Sequence, residues 1–168
     1  MASPHKEAFM AVDMLLELDG VKGESAIKTN AIDIESWSFG MNQTATAHTA
    51  TGAGAGKANV QDIHVMKKLD FATPTLMKMS LQAHHIPNGK IICRKSGGPK
   101  VIDYLVIEMK NIVVSSSQVT GSNGTDLVSE SLALNFASFK AVYKTQKEDQ
   151  SEGPQNEVAW DIAANKTN

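Results

Sequence analysis

The chain lacks most of what usually announces a function. It has one cysteine, Cys93, in 168 residues, so neither an internal disulfide framework nor a cysteine-rich metal site can be built. It has no basic surplus either: 16 Lys and Arg stand against 18 Asp and Glu, a formal charge of −2. That balance argues against a nucleic-acid partner, whose phosphates require a basic face. Aromatic residues are 5% of the chain, which leaves the core to Ile, Val, Leu, Met and Ala. The longest apolar run, around Leu105-Val106-Ile107, falls far short of the roughly 18 residues of a spanning helix, so no membrane anchor is expected. Residues 1–9 carry no apolar stretch of the kind a secretory signal needs. With Met10 directly behind them, they are expected to be a disordered leader or tag.

What remains has the composition of one globular domain over residues 10–168, with 42% hydrophobic and 20% charged residues. Residues 12–18 read as a short strand closed by Asp19-Gly20. Residues 31–44 read as a longer strand whose period-2 pattern slips by one between Ile34 and Trp37, the mark of a bulge or of burial on both faces. Residues 44–57 are Thr, Ala and Gly around one His, too poor in apolar surface to stay fixed alone, and are expected to form a long mobile loop. Strand character resumes over residues 60–69 with Ile63 and Val65 in phase.

One helix is expected, at about residues 73–85. Thr73 suits the N-cap and Pro74 the first turn, with Leu76, Met77, Ser80, Leu81 and His84 as the packed stripe. It should end by Pro87, with Asn88-Gly89 as a turn. After it come a strand at residues 90–95, a turn at 96–99, and a strand at 102–109 apolar on both faces. A serine-rich strand follows at 113–119, then a turn at 121–124. Leu132, Leu134 and Phe136 alternate before the phase slips to Phe139, and residues 144–156 read as a charged loop before a last short strand. About seven or eight short strands and one flanking helix imply a mainly β fold, a compact β-barrel of two packed sheets.

Motifs for chemistry fail on inspection. Gly52-Ala53-Gly54-Ala55-Gly56-Lys57-Ala58 imitates a phosphate loop, but Thr51 stands where the first Gly is needed and Ala58 where Ser or Thr should hold magnesium. His84 and His85 are adjacent and diverge by about 100° on a helix, so they make no metal pair. Cys93 has no readable His or Asn partner and reads as a strand thiol. Asp33 with Glu35 and Asp126 with Glu130 lack surroundings that would separate their pKa values. No catalytic, cofactor-binding or metal-binding residue is nominated, and an enzyme is not expected.

The order of the surviving segments is more specific than any one of them. Leu18-Asp19-Gly20-Val21-Lys22-Gly23-Glu24-Ser25 is followed by Ser36-Trp37-Ser38-Phe39-Gly40, then a Thr/Gly-rich loop and Val60-Gln61-Asp62. Next come Ala72-Thr73-Pro74-Thr75-Leu76, Arg94-Lys95-Ser96-Gly97-Gly98, Tyr104-Leu105, Val113-Val114-Ser115-Ser116, and Glu130 ahead of Leu132-Ala133-Leu134-Asn135-Phe136. This series resembles the haemolysin-coregulated proteins (Hcp), tube subunits of bacterial type VI secretion systems, with Phe39 where many members carry a second Trp.

The resemblance implies a homohexameric ring around an open lumen. Rings would stack into a tube inside a contractile sheath, tipped by a VgrG-type spike protein, with small effector toxins carried and chaperoned in the lumen. It implies a protein held in the bacterial cytoplasm before firing and then secreted through the apparatus, without a signal peptide. A globule of this length has a radius of gyration of only about 15 Å, so a wide channel must lie between copies, joined head to tail. For ring stacking the loop is nominated, with Thr49, Thr51, Gly52, Gly54, Gly56 and Lys57. For the lumen, Ser38 is nominated because it points away from the Trp37/Phe39 face, although the phase slip leaves open whether outward means lumen or helix side. The alternatives are a secreted adhesin or surface-binding β-domain and, behind it, a hydrolase.

Overall fold

The computed structural model describes residues 11–44, 56–96, 100–124 and 126–168. Along these the order is β1 (Ala11–Leu18), β2 (Ile32–Asp33), β3 (Ser36–Ser38), β4 (Met41–Asn42), β5 (Asn59–Val60) and β6 (Ile63–Lys68). Helix α1 (Thr73–Leu81) follows, then β7 (Ile86–Ser96), β8 (Ile102–Thr120), β9 (Ser129–Gln146), β10 (Glu152–Asp161) and β11 (Lys166–Thr167). The expected mainly β fold with one short flanking helix is what forms. The larger sheet runs β11-β10-β9-β8-β7-β1-β2, with β6 on the first half of β9 and β3 on β6, while β4 and β5 make a separate two-stranded ladder. Residues 34–35 link β2, at one end of this sheet, to β3 on the β6 branch, but β2 and β3 do not pair, so the hydrogen-bond ladder is not closed.

That junction corrects the single strand expected over residues 31–44. Ile32 and Asp33 pair with β1, Ile34 N–H still donates to Met14 O, and Glu35 N–H already donates to Met66 O on β6. The phase slip between Ile34 and Trp37 is therefore a change of partner, and the segment splits into three short strands.

The second slip has another cause. Met109 and Ile112 on β8 are both buried, as are their partners Phe139 and Phe136 on β9. Both strands lose phase at the same place, where Asn111 adopts φ 53°. The sheet bends there, and Phe39 fills the bend edge-on to Phe136 and Phe139 at centroid distances of 5.7 and 5.0 Å.

Four further expectations are corrected. The helix spans Thr73–Leu81 with Ala72 at the N-cap, and the chain reverses at Ala83, φ 46°, with His84 N–H donating to Met79 O. The expected stripe does not pack as such: Thr73 and Leu76 are buried and Met79 packs on the core, whereas Leu81 is 89% exposed. Asn88-Gly89 is no turn but part of β7, paired with Lys110 and Met109 on β8, with Gly89 also opposite Leu18 at the end of the β1 ladder. Gly89 is needed there because a Cβ would meet Leu18 Cδ2 at 2.6 Å and Ile112 Cδ1 at 2.7 Å. Residues 144–156 form a β9–β10 hairpin, its turn closed by Lys147 N–H donating to Ser151 O. The serine-rich segment near residue 115 is the second half of β8 rather than a strand of its own.

Candidate functional site

Ser38 lies on β3, exposed, while Trp37 and Phe39 on either side pack against the core. Cross-strand partners share a face, so the ladders define what surrounds Ser38. One row runs Ser38, His64, Ala133, Ser116 across β3, β6, β9 and β8, and the next runs Ser36, Met66, Ser131, Gln118. The opposite side of β6 and β9 holds Ile63, Val65, Leu132 and Leu134, which are core. The outward side is thus a four-strand-wide surface on which four serines, His64 and Gln118 surround the buried Ala133 and the exposed Met66. Apart from His64, no titratable residue stands in either row; the nearest flank them, Asp62 at the end held by Ser115 and Asn135 and Lys68 at the other, where it meets Ser129 and Thr120.

A bulge fixes one end of this surface. Ser115 is the extra residue on β8 opposite Ala133, and its hydroxyl donates to Asp62 Oδ2 at 2.6 Å. Asn135 Nδ2 donates to Asp62 Oδ1 at 2.8 Å, so one carboxylate clasps β8 and β9 to the entry of β6.

Three residues beyond Ser38 begins the β4–β5 ladder, Met41 opposite Val60 and Asn42 opposite Asn59, from which the expected stacking loop departs. Thr49, Thr51, Gly52 and Gly54 lie outside the described residues. Gly56 and Lys57 are described: Gly56 returns against Thr44, whose carbonyl would lie 3.2 Å from an added Cβ, and Ala58 N–H donates to Asn165 Oδ1. Beside this root is a hollow of about 280 Å³ lined by Met41, Val60, Phe139, Val158 and Trp160 among others. Met41 and Val158 are exposed, and Trp160 keeps its indole N–H buried without an acceptor.

Sequence reasoning missed a buried charge cluster. Lys67 and Glu130 are fully buried on facing strands, with Lys67 Nζ 2.5 Å from Glu130 Oε2 and 2.8 Å from Asp70 Oδ1. Thr73, nominated as an N-cap, instead donates its hydroxyl to Glu130 Oε2 at 2.6 Å, and the helix entry is turned by Asp70 Oδ1 accepting from Ala72 N–H. The Lys67/Glu130 alternation with Ile63, Val65 and Leu132 was the available signal, since both charges sit in phase with the apolar face. Elsewhere the chemistry is quiet. Cys93 is buried, and burial pushes its thiol above the ordinary range against hydrogen bonds to Trp37 and Tyr104. No group of three metal-ligating side chains occurs among the described residues.

The polar sheet face and the loop root are the surfaces against which the comparisons with known proteins can be set. The family described as "Type VI secretion system effector, Hcp" matches residues 15–143. The chain belongs to the Hcp family. It is 42% identical over 159 residues to protein hcp1 of Pseudomonas aeruginosa, an alignment covering 93% of this chain and 98% of that one. Among solved structures, Hcp1 from Salmonella typhimurium superposes with a TM-score of 0.77 at 28% identity, covering 94% of this chain and 99% of that one. A type six secretion system protein superposes at 0.86 with 24% identity, covering 94% of this chain and all of that one, which supports the fold. As an Hcp protein the chain is a secreted structural component of type VI secretion. None of its helices is long and apolar enough to cross a membrane, among the described residues.

Proposed function

We propose that this Hcp chain is a subunit of the expelled inner tube, closing into six-membered rings that stack, with the face around Ser38 turned to the lumen. The observation that carries the reading is that face: two rows across four strands, mainly polar with four serines, His64 and Gln118 and with Met66 as its one exposed large apolar side chain, outside a packed core. A wall of this kind presents hydrogen-bonding groups without strong fields or large apolar patches, so it can hold a protein passenger weakly and release it. Its edges support ring closure. β3 pairs only with β6, and β8 loses β7 beyond the Ile112–Ile86 pair, so both margins offer unpaired backbone among the described residues. Exposed edges invite another chain, and two different margins on one subunit favour head-to-tail contacts that close into a ring.

In this reading the subunit is made in the bacterial cytoplasm, is surrounded by the contractile sheath, is capped by a VgrG-type spike, and leaves through the apparatus with small effector proteins in its lumen. Light scattering behind size exclusion, with negative-stain images of the peak, should give a six-fold particle with a central hole. A clean 18.0 kDa monomer at working concentration would contradict it.

The loop bearing Thr49, Thr51, Gly52, Gly54, Gly56 and Lys57 is assigned to the contact between rings, because it leaves the fold from an isolated two-stranded ladder rather than from the sheet margins. Deleting residues 49–56 should leave rings intact and abolish tubes; loss of rings with the loop would move it to the ring interface. Ser38→Gln places a long side chain at the β3 margin of the polar wall and should weaken binding of a lumen passenger in a pull-down. Undiminished binding would remove Ser38 from the lumen.

A further inference from the structure

Beneath the first turn of α1, polar atoms meet in the interior of the fold with too few hydrogen bonds to go round. Lys67 Nζ has Glu130 Oε2, Asp70 Oδ1, Thr73 Oγ1 and the Lys68 carbonyl within 3.1 Å, which exhausts the three protons of an ammonium. The single Thr73 hydroxyl proton goes to the same Glu130 Oε2. The other carboxylate oxygen, Oε1 of a fully buried side chain, has no partner. Neither has Ser117 Oγ, also buried.

The register brings the two orphans together. Glu130 lies opposite Lys67 and, on its other side, Val119; Ser117 lies opposite Leu132. Leu132 and Glu130 are two apart on β9 and share the inward face, so Ser117 and Glu130 are diagonal neighbours on that face. Such neighbours are about 7–8 Å apart at the backbone, within reach of a long side chain. A buried carboxylate oxygen without a donor is costly, and buried polar gaps of this kind are where internal water is held.

We propose a built-in water site: one buried water molecule that donates to Glu130 Oε1 and hydrogen-bonds Ser117 Oγ, completing the Lys67–Glu130–Thr73 cluster. The site lies within one subunit and does not rest on the assembly reading. The cluster holds one cation against two carboxylates, Glu130 and Asp70, so a further donor at Oε1 is the compensation it lacks. The water ties β8 into a network that otherwise joins only β6, β9 and the entry of α1.

A high-resolution crystal structure of the full chain tests this directly. A density peak should stand at about 2.7–3.2 Å from both Glu130 Oε1 and Ser117 Oγ. Oxygen-17 relaxation dispersion should then count one long-lived water fewer in Ser117→Val than in the parent. Empty density between the two atoms, a direct Ser117–Glu130 hydrogen bond in its place, or an unchanged water count in a folded Ser117→Val would overturn the proposal. If Ser117→Val does not fold, the density of the parent decides alone.

Discussion

Lys67→Met should destabilise the subunit by about 3–5 kcal/mol, the usual cost of removing one partner from a buried ion pair. In the native fold the ammonium contacts Glu130, Asp70, Thr73 and a backbone carbonyl, and the Glu130 side chain is fully buried. Without the lysine the carboxylate loses its ion-pair partner and keeps only neutral donors, the Thr73 hydroxyl and the proposed water, against the cost of burying its charge. For a chain of this length the melting temperature should fall by on the order of 10 °C, read by circular dichroism at fixed protomer concentration because assembly shifts apparent stability. Lys67→Met combined with Glu130→Leu should recover most of the loss, since an apolar pair of similar volume often replaces a buried salt bridge at little cost. A single variant within about 1 kcal/mol of the parent, or a double variant no better than the single, would show that the pair is not isolated from water as its burial implies.

The same cluster marks where sequence reasoning stopped. Lys67 and Glu130 are 63 residues apart, and only the β6–β9 register makes them neighbours. Seen along the chain, each is one more charge in a strand, and Thr73 ahead of Pro74 looks like a helix cap because nothing local reveals a carboxylate overhead. The resemblance had singled out Thr73 and Glu130 as members of separate motifs. The structure joins them in one hydrogen bond.

What was legible was local. The alternation of Ile63 and Val65 placed them in the core, and both phase slips were visible as slips. Their causes were not, because one needed the partner change from β1 to β6 and the other a simultaneous slip in β8. Asn88-Gly89 misled for a related reason. The pair favours a hairpin turn, but the space a side chain would take at Gly89 is filled by Leu18 and Ile112 from the two flanking strands. Ser38 could be read as outward from Trp37 and Phe39 alone. The rows that make its surroundings a surface come from β6, β8 and β9, whose adjacency no stretch of sequence displays.

Gly23→Ala should be the most damaging single-methyl addition in the described fold. Gly23 sits in the Gly-Val-Lys-Gly segment after β1, and its N–H donates to Asn30 O while Ser25 N–H donates to Ala31 O, both at 3.0 Å. A Cβ there would lie 2.0 Å from Ala31 O, 2.4 Å from Ala31 C and 2.8 Å from Ile32 N. All three are backbone, so no rotamer change relieves the contact. Nor can the backbone retreat freely: Ala31 and Ile32 are completely buried, and Ile32 is paired with Leu16 in the ladder that starts the change of sheet partner. The expected cost is at or above the upper end of the roughly 1–3 kcal/mol usual for overpacking, measured by urea unfolding. Gly124→Ala is the control with the opposite physics, since φ is +91° and nothing lies within 4 Å. Its cost should be only the backbone term of about 1–2 kcal/mol. If Gly23→Ala proved milder than Gly124→Ala, the segment from Gly23 to Ile32 would have to be looser than its hydrogen bonds and burial imply, and the link from β1 to β3 would lose its fixed geometry with it.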